Sequence, residues 1–302
     1  MSSSLYPCNK ERIIGLARQC GACAVGVANA APVDPAVAAA FDAWLAAGNA
    51  ASMKFMYRWR DIRLDPRLLL PGAASVISMA FPYRPAGGYS HPLIADYALG
   101  EDYHRVIPRR LSSLISFLSS LGAFSRICVD SAPILERYWA VKAGVGFIGR
   151  NRQLIVPGVG SGVFLAEIVT TLLLQPDSPC TLSCDGCNRC VKACPAGAIS
   201  SGTTFDARRC MSYLTIEDPD GYTVPSGAKV YGCDICARVC PHNAQEPPQP
   251  LSEFMPDPRL LTLDRLTLSQ ITAGDFKRLF RDKSVSRVKA AKIRKNAKIN
   301  KF

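Results

Sequence analysis

Cys184-Asp-Gly-Cys187-Asn-Arg-Cys190-Val-Lys-Ala-Cys194-Pro195 is the stretch on which the reading of this chain turns. Its spacing, C-x2-C-x2-C-x3-C-P, is that of bacterial ferredoxins, where three close thiolates hold one [4Fe–4S] cluster and the fourth ligates another. A second run, Cys233-Asp-Ile-Cys236-Ala-Arg-Val-Cys240-Pro241, repeats the pattern without its opening cysteine, and Cys210 can supply that ligand. If the last cysteine of each run crosses over, one cluster takes Cys184, Cys187, Cys190 and Cys240. The other takes Cys194, Cys210, Cys233 and Cys236, so both sets close at four. Paired C-x2-C elements also build tetrahedral zinc sites. Zinc ribbons need neither the three-cysteine run nor two Cys-Pro endings, and the two-cluster reading is preferred.

The other cysteines of the thirteen are Cys8, Cys20, Cys23, Cys128 and Cys180. Cys20-Gly-Ala-Cys23 formally matches a redox C-x-x-C, but it runs from a helix end into an apolar strand, where small buried cysteines are common. Cys180 falls outside the cluster scheme and is expected to be a free thiol.

Upstream of the cysteines, Pro176-Asp-Ser-Pro179 reads as a linker. Before it, helical and strand-like periodicities alternate. Arg12–Arg18, Pro35–Ala47, Leu111–Leu121 and Ile134–Ala143 read as helices; Ala24–Ala28, Ser75–Ala80 and Arg126–Val129 read as strands. Asp34 with Pro35 at the first position is the expected start of the second helix. The fold class is α+β with α/β-like alternation. Three segments are expected: 1–175, 176–250 around the cysteines, and 251–302 with helices and a basic end. Glu246-Pro-Pro-Gln-Pro250 is the second connector.

The net charge of +12 is concentrated at that end, where Lys277–Phe302 holds eleven Lys or Arg against one Asp. Such a run either contacts a polyanion or is a solvated, frayed terminus. The longest apolar stretch, Gly162–Leu174, is interrupted by Glu167 and is too short to span a bilayer. The N-terminus has neither a basic start with an apolar core nor a twin-arginine signal. A cytoplasmic protein without membrane contact is expected, which also suits many cysteines that do not form disulfides.

Several segments carry a resemblance to one family. Arg63-Leu-Asp-Pro-Arg-Leu-Leu-Leu-Pro-Gly72, Tyr97-Ala-Leu-Gly-Glu-Asp-Tyr-His104, Val129-Asp130 with Pro133 and Leu135-Glu-Arg137, and Gly144-Val-Gly-Phe-Ile-Gly-Arg-Asn151 closely resemble epoxyqueuosine reductases. So do Arg209-Cys-Met-Ser-Tyr-Leu-Thr215 and Tyr231-Gly-Cys-Asp234. The resemblance implies a nitroreductase-like, cobalamin-binding N-terminal domain followed by a ferredoxin-like domain with two [4Fe–4S] clusters. The implied reaction reduces the epoxide of epoxyqueuosine to an alkene at the wobble position of tRNA, using an unidentified electron donor, in a monomer.

By the same resemblance Asp130 is the proton donor to the departing epoxide oxygen, a role that calls for a carboxyl whose pKa is raised by partial desolvation. Read from the residues alone, Asp130 could equally cap a helix before Pro133. The implied cobalamin contacts are Arg58, Tyr97, Tyr103, His104, Asp130, Gly144, Gly146, Gly149, Asn151, Leu154, Ile155, Leu165 and Ser212. Asp102-Tyr-His104 begins a D-x-H-x-x-G cobalamin signature, but position 107 is Ile and the glycine is missing. Cobalt without a protein axial ligand is therefore expected.

The chain departs from the family pattern at His242, where tryptophan is usual, and at Phe147 and Arg150, where Trp and Lys are usual. With the chain ending at Phe302, it is expected to do without the helical-repeat extension of longer members. The rival enzyme is a reductive dehalogenase, which shares cobalamin and two clusters but resembles longer exported chains. The rival without catalysis is a ferredoxin-type electron carrier, for which the first 175 residues would be superfluous.

Overall fold

Ser75–Pro82 is apolar or small along its whole length and buried at every position, which only a central strand with both faces covered can satisfy. In the computed structural model, which describes residues 5–85, 88–200, 204–219, 228–244 and 247–299, this run is β2. The other strands are β1 (Ala24–Asn29), β3 (Ser125–Cys128), β4 (Phe147–Ile148), β5 (Leu154–Ile155) and β6 (Val163–Thr170). The main sheet has the order β1-β2-β6-β3, and β4 with β5 forms a separate small hairpin.

All three pairings in the main sheet are antiparallel. The α/β-like part of the expectation therefore gives way to plain α+β. Alternating helix and strand along the chain does not fix strand direction; the connections here are long enough to return each strand in either sense.

Side chains alternate across β2, so Ile77, Met79 and Phe81 enter one core and Val76 and Ala80 the other. The first core is closed by Ile13 and Ala17 from the helix Leu5–Gln19, Val106 and Ile107 from Tyr103–Arg110, and Leu114 and Leu118 from Ser112–Ser120. The second is closed by Trp139 and Ala140 from the helix Glu136–Lys142, with Leu64 and Leu69. Burying each large side chain stabilises the fold by roughly 1.5–3 kcal/mol.

A third core joins Leu93–Leu99 and Val230–Tyr231 to Leu268, Phe276, Phe280, Ile293 and Ala297 of the C-terminal helices. The basic end is not a frayed tail within the described residues, since Ala290–Ile299 is helical and the Asn296 amide donates to the carbonyls of Thr215 and Val230 at 2.9 Å each. Residues 300–302 lie outside the described set. Among the described residues no helix is long and apolar enough to cross a membrane.

The start of the helix Pro35–Ala46 departs from expectation in one detail. Pro35 stands in its first turn, but the Asp34 side chain caps nothing and instead lies 3.5 Å from the Lys142 ammonium. Asp130 likewise caps no helix, because the next one begins at Glu136 with Leu135 at its cap position.

Candidate functional site

β3 ends at Cys128, and the chain then turns sharply at Asp130, whose φ of 51° lies in the left-handed region. An L-residue is strained there unless something holds it. The Asp130 carboxylate accepts from His104 Nε2 at 2.9 Å, and its backbone N–H donates to Glu136 Oε1 at 2.5 Å. His104 is in turn fixed from behind, with Nδ1 2.7 Å from Asp102 Oδ1. Asp102 also caps the helix Tyr103–Arg110 by accepting from the His104 N–H. One short sequence, Asp102-Tyr-His104, thus builds its own helix start and a carboxylate–imidazole–carboxylate chain.

Desolvation pushes the His104 imidazole towards neutrality, but Asp102 and Asp130 together outweigh it and raise its pKa to about 9. At neutral pH the ring is an imidazolium donating to both carboxylates. Desolvation also raises Asp130; the bond and charge of His104, with Tyr103 and Arg287, overcome it and leave Asp130 below the ordinary carboxyl value. The expectation of a raised Asp130 pKa is corrected in this state. The labile proton sits on His104, one hydrogen bond behind the aspartate.

Tyr103 stacks on His104 with centroids 4.1 Å apart and on Phe164 at 4.2 Å, and Tyr97 meets Tyr103 and Tyr231 at 6.4 and 6.2 Å. The result is an aromatic wall behind a carboxylate that is about half open to solvent, at 48%. Of the proposed contacts, Tyr97, Tyr103, His104 and Asp130 come together here. Leu165 lies half-buried on β6, Ser212 half-buried in the helix Met211–Ile216, and Arg58 exposed at the end of Lys54–Arg58.

The glycine loop has a different basis. A Cβ on Gly146 would meet the Ile155 carbonyl oxygen at 2.3 Å, one on Gly149 the Ile155 side chain at 2.5 Å, and one on Gly144 the Ser178 carbonyl oxygen at 2.6 Å. These glycines let β4 fold onto buried Leu154 and Ile155 of β5 and let the linker approach. Asn151 at the loop's end is buried, its Oδ1 accepts from the Gln153 N–H, and its Nδ2 has no partner. That free donor inside the protein fits an acceptor on a bound group.

The cysteine thiols fall into two neighbourhoods. Cys190 feels the charges of Cys184 and Cys240, and Cys240 those of Cys184 and Cys187. Cys233 feels Cys210 and Cys194, while Cys236 feels Cys233, Cys210 and Cys194 and, across the gap, Cys190. Burial pushes Cys233 up to about 11 and Cys236 to about 12. Coordination to iron reverses such shifts, because a ligating thiol is deprotonated. Backbone N–H groups of Arg150 and Ala198 point at Cys184 Sγ and Cys194 Sγ, at 3.4 and 3.2 Å. Donors of this kind stabilise sulfur ligands of iron clusters. Among the described residues no three Cys, His, Asp or Glu side chains converge on a single-ion site.

The three departures from the family pattern collect beside the first set. Phe147 and His242 touch edge to face with centroids 5.3 Å apart, next to Cys240 and Cys184, and Arg150 donates to Asn188 Oδ1 at 2.9 Å. Cys20 and Cys23 are buried or half-buried, and burial raises Cys23 to about 11, so neither has the exposed thiolate of a redox pair.

Residues 63–131 match the family described as epoxyqueuosine reductase QueG, DUF1730, and residues 183–243 match the 4Fe-4S double cluster binding domain. An epoxyqueuosine reductase of Gloeobacter violaceus is 38% identical over 93% of this chain and 92% of its own length. The chain belongs to the epoxyqueuosine reductase family. It carries the family's double-cluster binding domain and is an iron–sulfur oxidoreductase. The enzyme of Cellulophaga algicola is also 38% identical, over 84% of this chain and 85% of its own. Among solved structures, an epoxyqueuosine reductase with an epoxyqueuosine-modified tRNA-Tyr stem loop superposes with a TM-score of 0.85 at 29% identity, covering 96% of this chain and 80% of the other. One from Bacillus subtilis, with its catalytic aspartate loop swung out of the active site, gives 0.85 at 28% with the same coverage.

Asp102 and Glu136 were missed as site residues by the sequence reading. Both lie in segments that carry the family resemblance, Tyr97–His104 and Leu135–Arg137, but neither spacing implies contact without the fold.

Proposed function

We propose that this epoxyqueuosine reductase acts on tRNA, converting epoxyqueuosine to queuosine with electrons relayed through two [4Fe–4S] clusters. Opening an epoxide to an alkene consumes two electrons and two protons and releases water. The observation that carries the reading is the Asp102–His104–Asp130 chain, which keeps a proton next to a half-open carboxylate in the same chain as the double-cluster domain.

In this reading Asp130 touches the epoxide oxygen and protonates it, and His104 refills Asp130 across their 2.9 Å bond. Asp102 keeps the imidazole oriented and charged. The aromatic wall of Tyr97, Tyr103 and Phe164 excludes water from one side of the reacting nucleoside. The loop between β3 and the helix Glu136–Lys142 would take the place of the catalytic aspartate loop named for the Bacillus subtilis relative.

The resemblance carried by Gly144–Asn151 implies cobalamin, and the unpartnered Asn151 Nδ2 is the feature here that fits it. When bound, cobalamin would supply the low-potential redox chemistry that reduction of the epoxide needs. Asn151, Tyr97, Tyr103, Leu154, Ile155, Leu165, Ser212 and Arg58 would hold it, on a nitroreductase-like core within residues 1–175. Cys184, Cys187, Cys190 and Cys240 would hold one cluster and Cys194, Cys210, Cys233 and Cys236 the other, within residues 176–250. Residues 251–302 would contribute the RNA-facing basic surface. An RNA substrate and reduced thiols suit a cytoplasmic activity, and the family resemblance suits a monomer served by a separate electron donor.

The test is anaerobic reconstitution with iron, sulfide and cobalamin, then incubation with reductant and tRNA carrying epoxyqueuosine. Nucleoside mass spectrometry should show loss of one oxygen, abolished or strongly slowed by Asp130→Asn. A loaded protein that leaves the tRNA unchanged would overturn the substrate assignment.

A further inference from the structure

Asp130 sits on a loop whose internal backbone bonds are local: Ser131 N–H to the Val129 carbonyl at 2.5 Å and Ile134 N–H to the Ala132 carbonyl at 2.8 Å. Neither holds the left-handed turn at Asp130 against the body of the protein. The backbone bond that does so, among the described residues, is Asp130 N–H to Glu136 Oε1 at 2.5 Å. Glu136 is anchored where the loop is not. It opens the helix whose Trp139 and Ala140 are 1% and 0% exposed and which packs against β1, β2 and β6.

Charged groups surround that carboxyl on both sides. Arg63, buried with its Nε unpartnered, lies within charge range of both Glu136 and Asp130. Arg137 and His104 add positive charge, and Glu167 behind it is fully buried, bonded through Oε1 to Ser78 Oγ at 3.0 Å. Burial, with the neighbouring Asp130 charge, raises the Glu136 carboxyl to about 8 against the pull of the Asp130 amide, Arg137 and His104, and its Oε1 accepts from that amide.

We propose that Glu136 is the positioning residue for Asp130: its carboxyl Oε1 accepts from the Asp130 amide and fixes the left-handed turn that aims the aspartate at His104 and the substrate. The proposal rests on the assignment of Asp130 as the acid. A hydrogen bond from the loop amide to a carboxyl on a fixed helix is a short tether, so losing it frees the loop without altering the groups that bind RNA. Misplacing a reacting group by about 1 Å costs on the order of a hundredfold in rate.

Two substitutions separate the tether from the charge. Glu136→Gln keeps an oxygen acceptor for the amide, and Glu136→Leu keeps the volume and removes the acceptor. In the cluster- and cobalamin-loaded enzyme, Glu136→Leu should lower kcat by about a hundredfold with the KM for tRNA unchanged, while Glu136→Gln stays close to the parent. Hydrogen exchange of residues 129–135, measured without tRNA or reductant, should speed up in Glu136→Leu alone while β6 stays protected. Unchanged exchange in Glu136→Leu would overturn the proposal, as would a Glu136→Gln enzyme as impaired as the leucine variant. Asp130→Asn assayed in parallel keeps the two readings apart: full turnover there removes the acid assignment, whereas the exchange experiment reads the tether directly.

Discussion

His104 Nε2 lies 2.9 Å from Asp130 Oδ2, so the proposed acid is backed by an imidazolium. The pKa of His104 is raised to about 9, and the imidazolium can refill Asp130 only while it holds its proton. Turnover should therefore be full at neutral pH and fall as pH rises through about 9. His104→Gln should lower kcat on the order of a hundredfold and abolish that descending limb in a kcat-against-pH profile. A limb that persists in the variant would assign it to another group.

The same contact predicts a stability effect of definite sign. A histidine whose folded pKa lies above its ordinary 6.5 contributes stability that is complete below that value and disappears as pH rises through about 9. Asp102 and Asp130, both lowered, contribute in the opposite sense, above the ordinary 3.8, and lose it as pH falls through their depressed values. The Tm difference between parent and His104→Gln should shrink between neutral pH and pH above 9. Thermal melts across that range, read by circular dichroism, give the answer.

Asp96 should be far less tolerant of change. It is 1% exposed and pairs with Arg84 at 3.1 Å and Arg238 at 3.3 Å, and its backbone N–H donates to Asp234 Oδ2 at 3.1 Å. Arg238 and Asp234 belong to the second cysteine run, so the pair network joins the sheet domain to the cluster loops. Asp96→Ala removes the buried carboxylate that both guanidinium groups share and should cost about 3–5 kcal/mol of stability, measured by denaturant unfolding of the loaded protein.

What the sequence disclosed divides along the range of the interactions. The cysteine spacing was legible because a cluster's geometry is written into intervals of two and three residues. β2 was legible because a fully apolar run has few other fates. The antiparallel sheet, the Asp34 contact with Lys142 and the loop role of Glu136 were not, since each depends on which distant segment lies opposite. The glycine loop shows the same limit. Its glycines matched a family pattern, yet the contact that requires Gly146 is with the Ile155 carbonyl, set by the β4–β5 hairpin.

Crossed ligation has a distinctive signature in paired substitutions. If Cys184 and Cys240 serve the same cluster, replacing both with serine should leave about half of the bound iron, the other cluster being intact. Replacing Cys184 and Cys194 should disable both clusters and remove nearly all of it. Uncrossed ligation reverses the two results, because Cys184 and Cys194 would then share a cluster. Iron and sulfide analysis after anaerobic reconstitution, with electron paramagnetic resonance of the reduced proteins, distinguishes the schemes.

The basic C-terminal segment can be tested by charge but not by truncation. Lys283 is buried and pairs with Asp257 at 3.2 Å, and Ile293, Asn296 and Ala297 are 1% exposed, so deletion from Lys283 onward would open the third core. Lys277, Arg281 and Lys289 are exposed instead, around a groove of about 570 Å³ floored by Phe276, Phe280, Val288 and Ala290. None of the three has a carboxylate at ion-pair distance among the described residues. If they meet the phosphates of the tRNA, changing all three to alanine should weaken binding and reduce the slope of log affinity against log salt by roughly 2, at about 0.7 per single-strand phosphate contact. The fold and the clusters should be unaffected, since these side chains support neither. Fluorescence anisotropy with a labelled anticodon stem loop at several salt concentrations measures the slope, and an unchanged slope would remove this face from the RNA interface.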